Sequence, residues 1–227
     1  MNNAKKRIPL RDRVLPDYTG GEEIFNMVTH IVGGALGVAT LVLCVLKSAF
    51  KGSVAGVLCS VVFGVSMIVL YTVSSIYHGL RPPMAKKVFQ VLDHCTINFL
   101  IAGTYTPFLI CSLAKHHPLA AWLTFAAVWG TTALSVTLNA IDLKKYSTFS
   151  MIGYLGMGWV ILFSVKWMYQ ALGSAGFAWL LGGGILYTVG AVLYGIGHKK
   201  RYFHSVFHIF VLLGSLTHAL SVFVYVL

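Results

Sequence analysis

Seven apolar runs leave this chain few ways to fold. They span approximately 26–46, 54–78, 92–113, 119–140, 149–169, 175–197 and 204–226. Each is near the ~20 residues that a helix needs to cross a bilayer. The other way across lipid is a closed barrel, which demands period-two alternation along every strand, and no such alternation occurs here. The expectation is an all-α integral membrane bundle of seven transmembrane helices. Its domain organisation reads as a short basic tail, 1–22, followed by one transmembrane domain, 23–227.

Composition agrees. Of 227 residues, 57% are hydrophobic and 10% charged, against roughly 25% charged in an ordinary soluble domain. The net charge of +11 does not signal nucleic acid, because the cations lie in short segments between apolar runs, where they set topology. With the N-terminus inside, thirteen Lys and Arg fall on cytoplasmic segments (Lys5, Lys6, Arg7, Arg11, Arg13, Arg81, Lys86, Lys87, Lys144, Lys145, Lys199, Lys200, Arg201). Three fall outside, Lys47, Lys51 and Lys115, and Lys166 lies near the outer end of the fifth run. That bias predicts a cytoplasmic N-terminus and, after seven crossings, a C-terminus outside. The chain therefore reads as a multi-pass integral membrane protein. The opening MNNAKKRIPLRDRVLPDYTGGEE lacks the apolar stretch and cleavage site of a signal peptide. It reads as a polar tail, mobile up to Gly20 and Gly21. Cys44, Cys59, Cys95 and Cys111 lie inside apolar runs and form no pairing pattern, so they read as reduced packing residues.

Ionisable groups within membrane helices are costly, and each is a functional candidate. SSIYH ends the second run with His78. VLDHC opens the third with Asp93. RYFHSVFH opens the seventh with His204 and His208, four apart and so one turn apart on one face. The topology rests on Lys and Arg alone, yet it brings all four groups to the cytoplasmic depth. Three neutral imidazoles suit Zn²⁺ and leave a fourth position for water. Asp93 is placed to hold or deprotonate that water, and Ser74, one turn before His78, to hydrogen-bond it or a substrate oxygen. The bland alternative is a polar helix-to-helix network. On the first run, Glu23, Asn26 and His30 lie at i, i+3 and i+7 and share a face. They read as a supporting polar network beside the metal, or, for Glu23, as a helix edge at the lipid headgroups. His94 is expected to point about 100° away from Asp93, His198 to be solvated, and His218 to bond a neighbouring helix. Pro107 should kink the third helix, with Tyr105 and Thr106 re-satisfying the freed backbone. Gly182, Gly183 and Gly184 permit close helix contact.

ExxNxxTH (Glu23, Asn26, Thr29, His30), SxxxH followed by D (Ser74, His78, Asp93) and HxxxH (His204, His208) occur in order. Together they resemble the hemolysin III family, the bacterial branch of the progestin and adipoQ receptor family that includes the adiponectin receptors. The resemblance covers essentially the whole chain after the tail. It implies a seven-helix fold with a cytoplasmic N-terminus and Zn²⁺ bound by His78, His204 and His208. It further implies that Asp93 faces the water on the zinc, with Ser74 near it. Through similarity of the family's site to alkaline ceramidases, it implies hydrolysis of a lipid amide or ester in membrane lipid homeostasis. The alternatives are a non-enzymatic lipid or membrane-fluidity sensor with structural zinc and, distantly, a cytolytic protein. Membrane lipids are the expected substrate or ligand. No nucleic acid and no protein hormone is expected.

Overall fold

The computed structural model describes residues 8–197 and 200–227. Seven α-helices follow in order: α1 (Gly20–Phe50), α2 (Val54–Gly79), α3 (Pro83–Pro107), α4 (Pro118–Asp142), α5 (Ser147–Trp159), α6 (Val165–Gly197) and α7 (Phe203–Ser221). There is no strand among the described residues. Among the described residues, six helical stretches are long and apolar enough to span a bilayer, one of them the 51-residue stretch Ser147–Gly197. The molecule is inside out relative to a protein built for water. Ile24, Val28, Ile31, Leu43 and Phe163 face outward, while Asn26, Asn98, Ser60, Ser135 and Asn139 are fully enclosed. That distribution is stable only where the surroundings are hydrocarbon.

Local chemistry sets the helix ends. Thr19 and Glu22 form a reciprocal capping box that starts α1 at Gly20, ahead of the apolar run that begins at 26. Proline at the first position starts α3 at Pro83, nine residues before the apolar run at 92. The gap holds Lys86, whose Nζ is buried against the carbonyls of Tyr77, His78 and Leu80. Hydropathy detects lipid contact, and this turn of helix faces protein. Past Pro107 the chain winds into a π-turn (Phe108–Ser112) and then a 3₁₀ turn (Leu113–Lys115). Proline therefore alters the helix there, as expected. Thr106 Oγ1 donates back to the carbonyl of Ala102. Tyr105 instead reaches across to the end of α5, donating to Gly158 O at 2.9 Å and accepting from Ile161 N at 3.3 Å.

Between α5 and α6 runs a 3₁₀ turn, Val160–Ser164. Helical geometry breaks within α6 at Gly173, which has φ 68° and ψ 175°, a conformation open to glycine. The two arms fold back on each other there. Trp159 Nε1 donates to Thr188 Oγ1 at 3.0 Å, and Tyr169 packs edge-on against Phe177, pairs nearly symmetric about the break. Helix α1 lies against both α2 and α7, and α6 lies along α7. Contact between α1 and α2 is close enough that a methyl group at Gly33 would overlap the Tyr71 ring. These packings bring the starts of α1, α3 and α7 and the end of α2 to one end of the bundle. All four cysteines are free and buried.

Candidate metal centre

His78 projects from the last turn of α2, and His204 and His208 from the first two turns of α7. One ring nitrogen from each converges, all three within 4.8 Å of one another. The Nε2 atoms of His204 and His208 face each other at 3.0 Å, as a spacing of four on one helix requires. The Nδ1–H of His78 donates to Oε2 of Glu23 at 2.6 Å. A carboxylate only accepts, so this bond fixes the tautomer and leaves the His78 Nε2 lone pair free. That atom is buried and has no hydrogen-bond partner. A buried lone pair aimed at two facing imidazole nitrogens is costly unless a cation joins them. Three neutral nitrogen donors with a carboxylate behind one of them fit a borderline divalent ion such as Zn²⁺.

Glu23 is the carboxylate behind His78, and its other oxygen accepts from Lys86 Nζ at 2.9 Å. Glu23 is therefore bonded within the bundle, to α2 through His78 and to α3 through Lys86. Asn26 is fully buried and its Oδ1 accepts from Ser205 Oγ at 2.6 Å. His30 stacks on His208 with ring centroids 3.7 Å apart and meets Tyr71 edge-on. The face formed by Glu23, Asn26 and His30 thus backs onto the triad.

Asp93 and Ser74 are not among the three converging donors. They line, with His204 and His208, the head of a cavity of about 230 Å³ that runs into the bundle. Ser74 is buried and its hydroxyl has no partner. His94, expected to point away, borders the same cavity, its Nδ1 3.9 Å from Asp93 Oδ2 and 2.9 Å from Gln90 O. The cavity is wide enough for adjacent positions on α3 both to reach it. His198 lies outside the described residues. His218 Nε2 bonds the carbonyl of Leu180 on α6, as expected.

The sequence reading missed two groups. The first is Glu22. Beyond capping α1, it accepts from the backbone N–H of Tyr202 at 2.6 Å and from Arg201 at 3.3 Å. Tyr202 has φ 63° immediately before α7, uncommon for a residue with a side chain, so this contact ties the start of α7 to that of α1. The second is the tail, expected to be polar and mobile up to Gly20 and Gly21, which makes tertiary contacts from Ile8 onward although most of its residues are exposed. Ile8 N and Arg13 both reach the Asp142 carboxylate, and Lys87 bonds the carbonyl of Arg11. The tail thereby lays Tyr18 flat over His204, centroids 5.0 Å apart with 10° between planes. Burial, reinforced by the phenols of Tyr194 and Tyr77 and the carboxylates of Glu23 and Asp93, holds the Tyr18 phenol above its ordinary pKa. No local sequence signal pairs Arg13 with Asp142 or Glu22 with Tyr202, because these are purely tertiary contacts.

A family model described as "Haemolysin-III related" matches residues 18–219. The chain is 37% identical over 206 residues to "Hemolysin-3" of Bacillus cereus, covering 91% of this chain and 92% of that protein. It is likewise 37% identical over 201 residues to "Hemolysin-3 homolog" of Bacillus subtilis, with 87% and 91% covered. A more distant similarity, 28% over 151 residues, joins 58% of the chain to 34% of "Adiponectin receptor protein" of Drosophila melanogaster. With its apolar helices and this match over most of its length, the chain belongs to the haemolysin-III-related family, as a multi-pass protein of the bacterial plasma membrane.

Proposed function

We propose that this protein is an intramembrane zinc hydrolase that cleaves an amide or ester bond of a membrane lipid. The observation that carries the reading is one cavity with two chemistries. Its head holds the imidazoles of α7, Asp93 and Ser74, and the remainder is walled by apolar side chains such as Leu100, Ile101 and Val211. A lipid has the same division between polar linkage and chain.

A divalent ion on His78, His204 and His208 would supply Lewis acidity and acidify a water there. The chain's own residues do the rest. Glu23 holds His78 in the tautomer that presents Nε2. Asp93 accepts the proton of the attacking water and returns it to the leaving nitrogen or oxygen. The Ser74 hydroxyl, without another partner, donates to the carbonyl oxygen as charge develops there. The apolar cavity orients the chain and keeps bulk water away.

Topology supports this placement. A helix of 51 residues would be about 75 Å long against a hydrocarbon core of ~30 Å. We take the break at Gly173 to divide that stretch into two crossings, which would make seven and, with the positive-inside bias, would put the N-terminus and the metal centre on the cytoplasmic side.

The first test is metal content of the purified protein beside the His204→Ala/His208→Ala variant, followed by lipid-amide and lipid-ester turnover with Asp93→Asn. The expected result is one zinc per chain, lost in the double variant, and turnover reduced by at least a hundredfold in Asp93→Asn with zinc retained. Folded protein without stoichiometric metal, or zinc-replete protein that turns over no lipid amide or ester, sinks the hydrolase. In the zinc-replete case the second reading gains: the three imidazoles tie α2 to α7, so zinc is a structural clamp in a lipid-responsive regulator, whose activity in cells survives Asp93→Asn.

A further inference from the structure

The far end of the cavity carries its own polar group. Side-chain polar atoms that are buried without a partner occur at two places on the cavity wall, among the described residues. One is the head, with His30, Ser74, His204 and His208; the other is Nδ1 of His218. The other polar side chains near His218 are already committed. Thr104 donates to Leu100 O, Tyr105 to Gly158 O and Thr188 to Gly184 O, while Tyr187 and Tyr71 share the hydroxyl of Ser215.

The geometry fixes what this nitrogen can do. Nε2 bonds the Leu180 carbonyl at 2.9 Å, and a carbonyl only accepts, so Nε2 carries the hydrogen. In the neutral ring Nδ1 is then a pure acceptor. The Cδ2–Nε2 edge rests on Gly183, where a methyl group would overlap it. Nδ1 lies opposite that edge and so points away from α6, into the bundle. The residue is 94% buried (6% exposed) and borders the cavity. A helix-to-helix staple alone would need only Nε2 and would leave a desolvated lone pair, which costs free energy.

We infer that His218 forms a second polar subsite, accepting a hydrogen bond from a hydroxyl on the chain of the bound lipid. Ten residues of continuous helix separate His208 from His218, about 15 Å along the axis. An extended chain of roughly twelve carbons, advancing about 1.25 Å per carbon, spans that distance. The ligand class is therefore an amphiphile with its polar head at the histidine triad and a hydroxyl at or near the end of a medium-length chain. This rests on the cavity being the lipid site proposed above.

The test is competition binding of dodecanoate against ω-hydroxydodecanoate on metal-replete protein in lipid nanodiscs. Wild-type protein is expected to prefer the hydroxylated chain by about three- to tenfold, the range of one net hydrogen bond. His218→Leu is expected to reverse that preference, because an apolar floor must desolvate the hydroxyl for nothing in return. Equal binding, or preference for plain dodecanoate by the wild type, overturns the subsite while leaving the cavity as a lipid site. Binding of neither acid overturns both. The wild-type comparison needs no variant, so it decides the matter even if His218→Leu fails to fold.

Discussion

At the scale of single residues, the informative atom is the Nδ1 of His78. Its 2.6 Å bond to Glu23, itself anchored by Lys86 at 2.9 Å, makes a carboxylate–imidazole pair that fixes ring orientation and raises ligand basicity. Glu23→Gln keeps the side-chain shape but removes the charge and offers one acceptor oxygen where there were two. It is expected to weaken zinc affinity about 10- to 100-fold, read by competition with a metal-sensitive chelator dye, with helix content unchanged by circular dichroism. Unchanged affinity would reduce Glu23 to an anchor for α3. The convergence of the histidines was legible in part, because HxxxH spacing fixes a shared face; the depth of that face is an expectation from Lys and Arg. Tyr18 was not. Nothing near DYTGG predicts that its ring covers His204, a tertiary contact like that of Arg13 with Asp142.

Among elements, the pair α1 and α2 sets the spacing of the site, since Glu23 and His78 belong to opposite members of it. Gly33 faces the Tyr71 ring without room for a methyl group, and Gly64 faces Leu41 in the same way. Tyr71 in turn bonds Ser215 on α7 at 2.6 Å, so displacing its ring disturbs three helices at once. Gly33→Leu is expected to destabilise by about 1–3 kcal/mol or more, seen as a lower thermal midpoint in detergent and a loss of metal affinity along with it. A stable variant with intact metal binding would show that α1 can shift without moving the site. The apolar runs located the helices well but misplaced two starts. Hydropathy registers the side that faces lipid, whereas Pro83 and the Thr19–Glu22 box begin their helices among polar residues that face protein or water. The arms on either side of Gly173 were legible as separate runs because polar and small residues interrupt the hydropathy there. The 3₁₀ turn at Val160–Ser164 lies inside an unbroken apolar sequence and leaves no such trace.

For the whole molecule, the decisive quantity is the number of crossings, because parity fixes which side each loop faces. Lys144 and Lys145 lie between α4 and α5, and Gly173 lies at the far end of the following arm. If the Ser147–Gly197 stretch crosses twice, Lys145 and Ser174 are on opposite faces. The positive-inside bias then puts Lys145 in the cytoplasm and Ser174 outside. With a single crossing, no loop at 173 emerges on the outer face, and the starts of α1 and α7 fall on opposite sides of the membrane. That is incompatible with Glu22 meeting Tyr202 at 2.6 Å and Ser205 meeting Asn26 at 2.6 Å. Lys145→Cys and Ser174→Cys, each in a background with the four buried cysteines replaced by alanine, separate the two arrangements. A membrane-impermeant maleimide added to intact spheroplasts is expected to label the cysteine at 174 and to reach the one at 145 only after permeabilisation. Both positions are exposed in the fold, so lack of labelling reports sidedness rather than burial. Labelling of both from the same side would remove the second crossing and, with it, the shared cytoplasmic depth proposed for the metal centre.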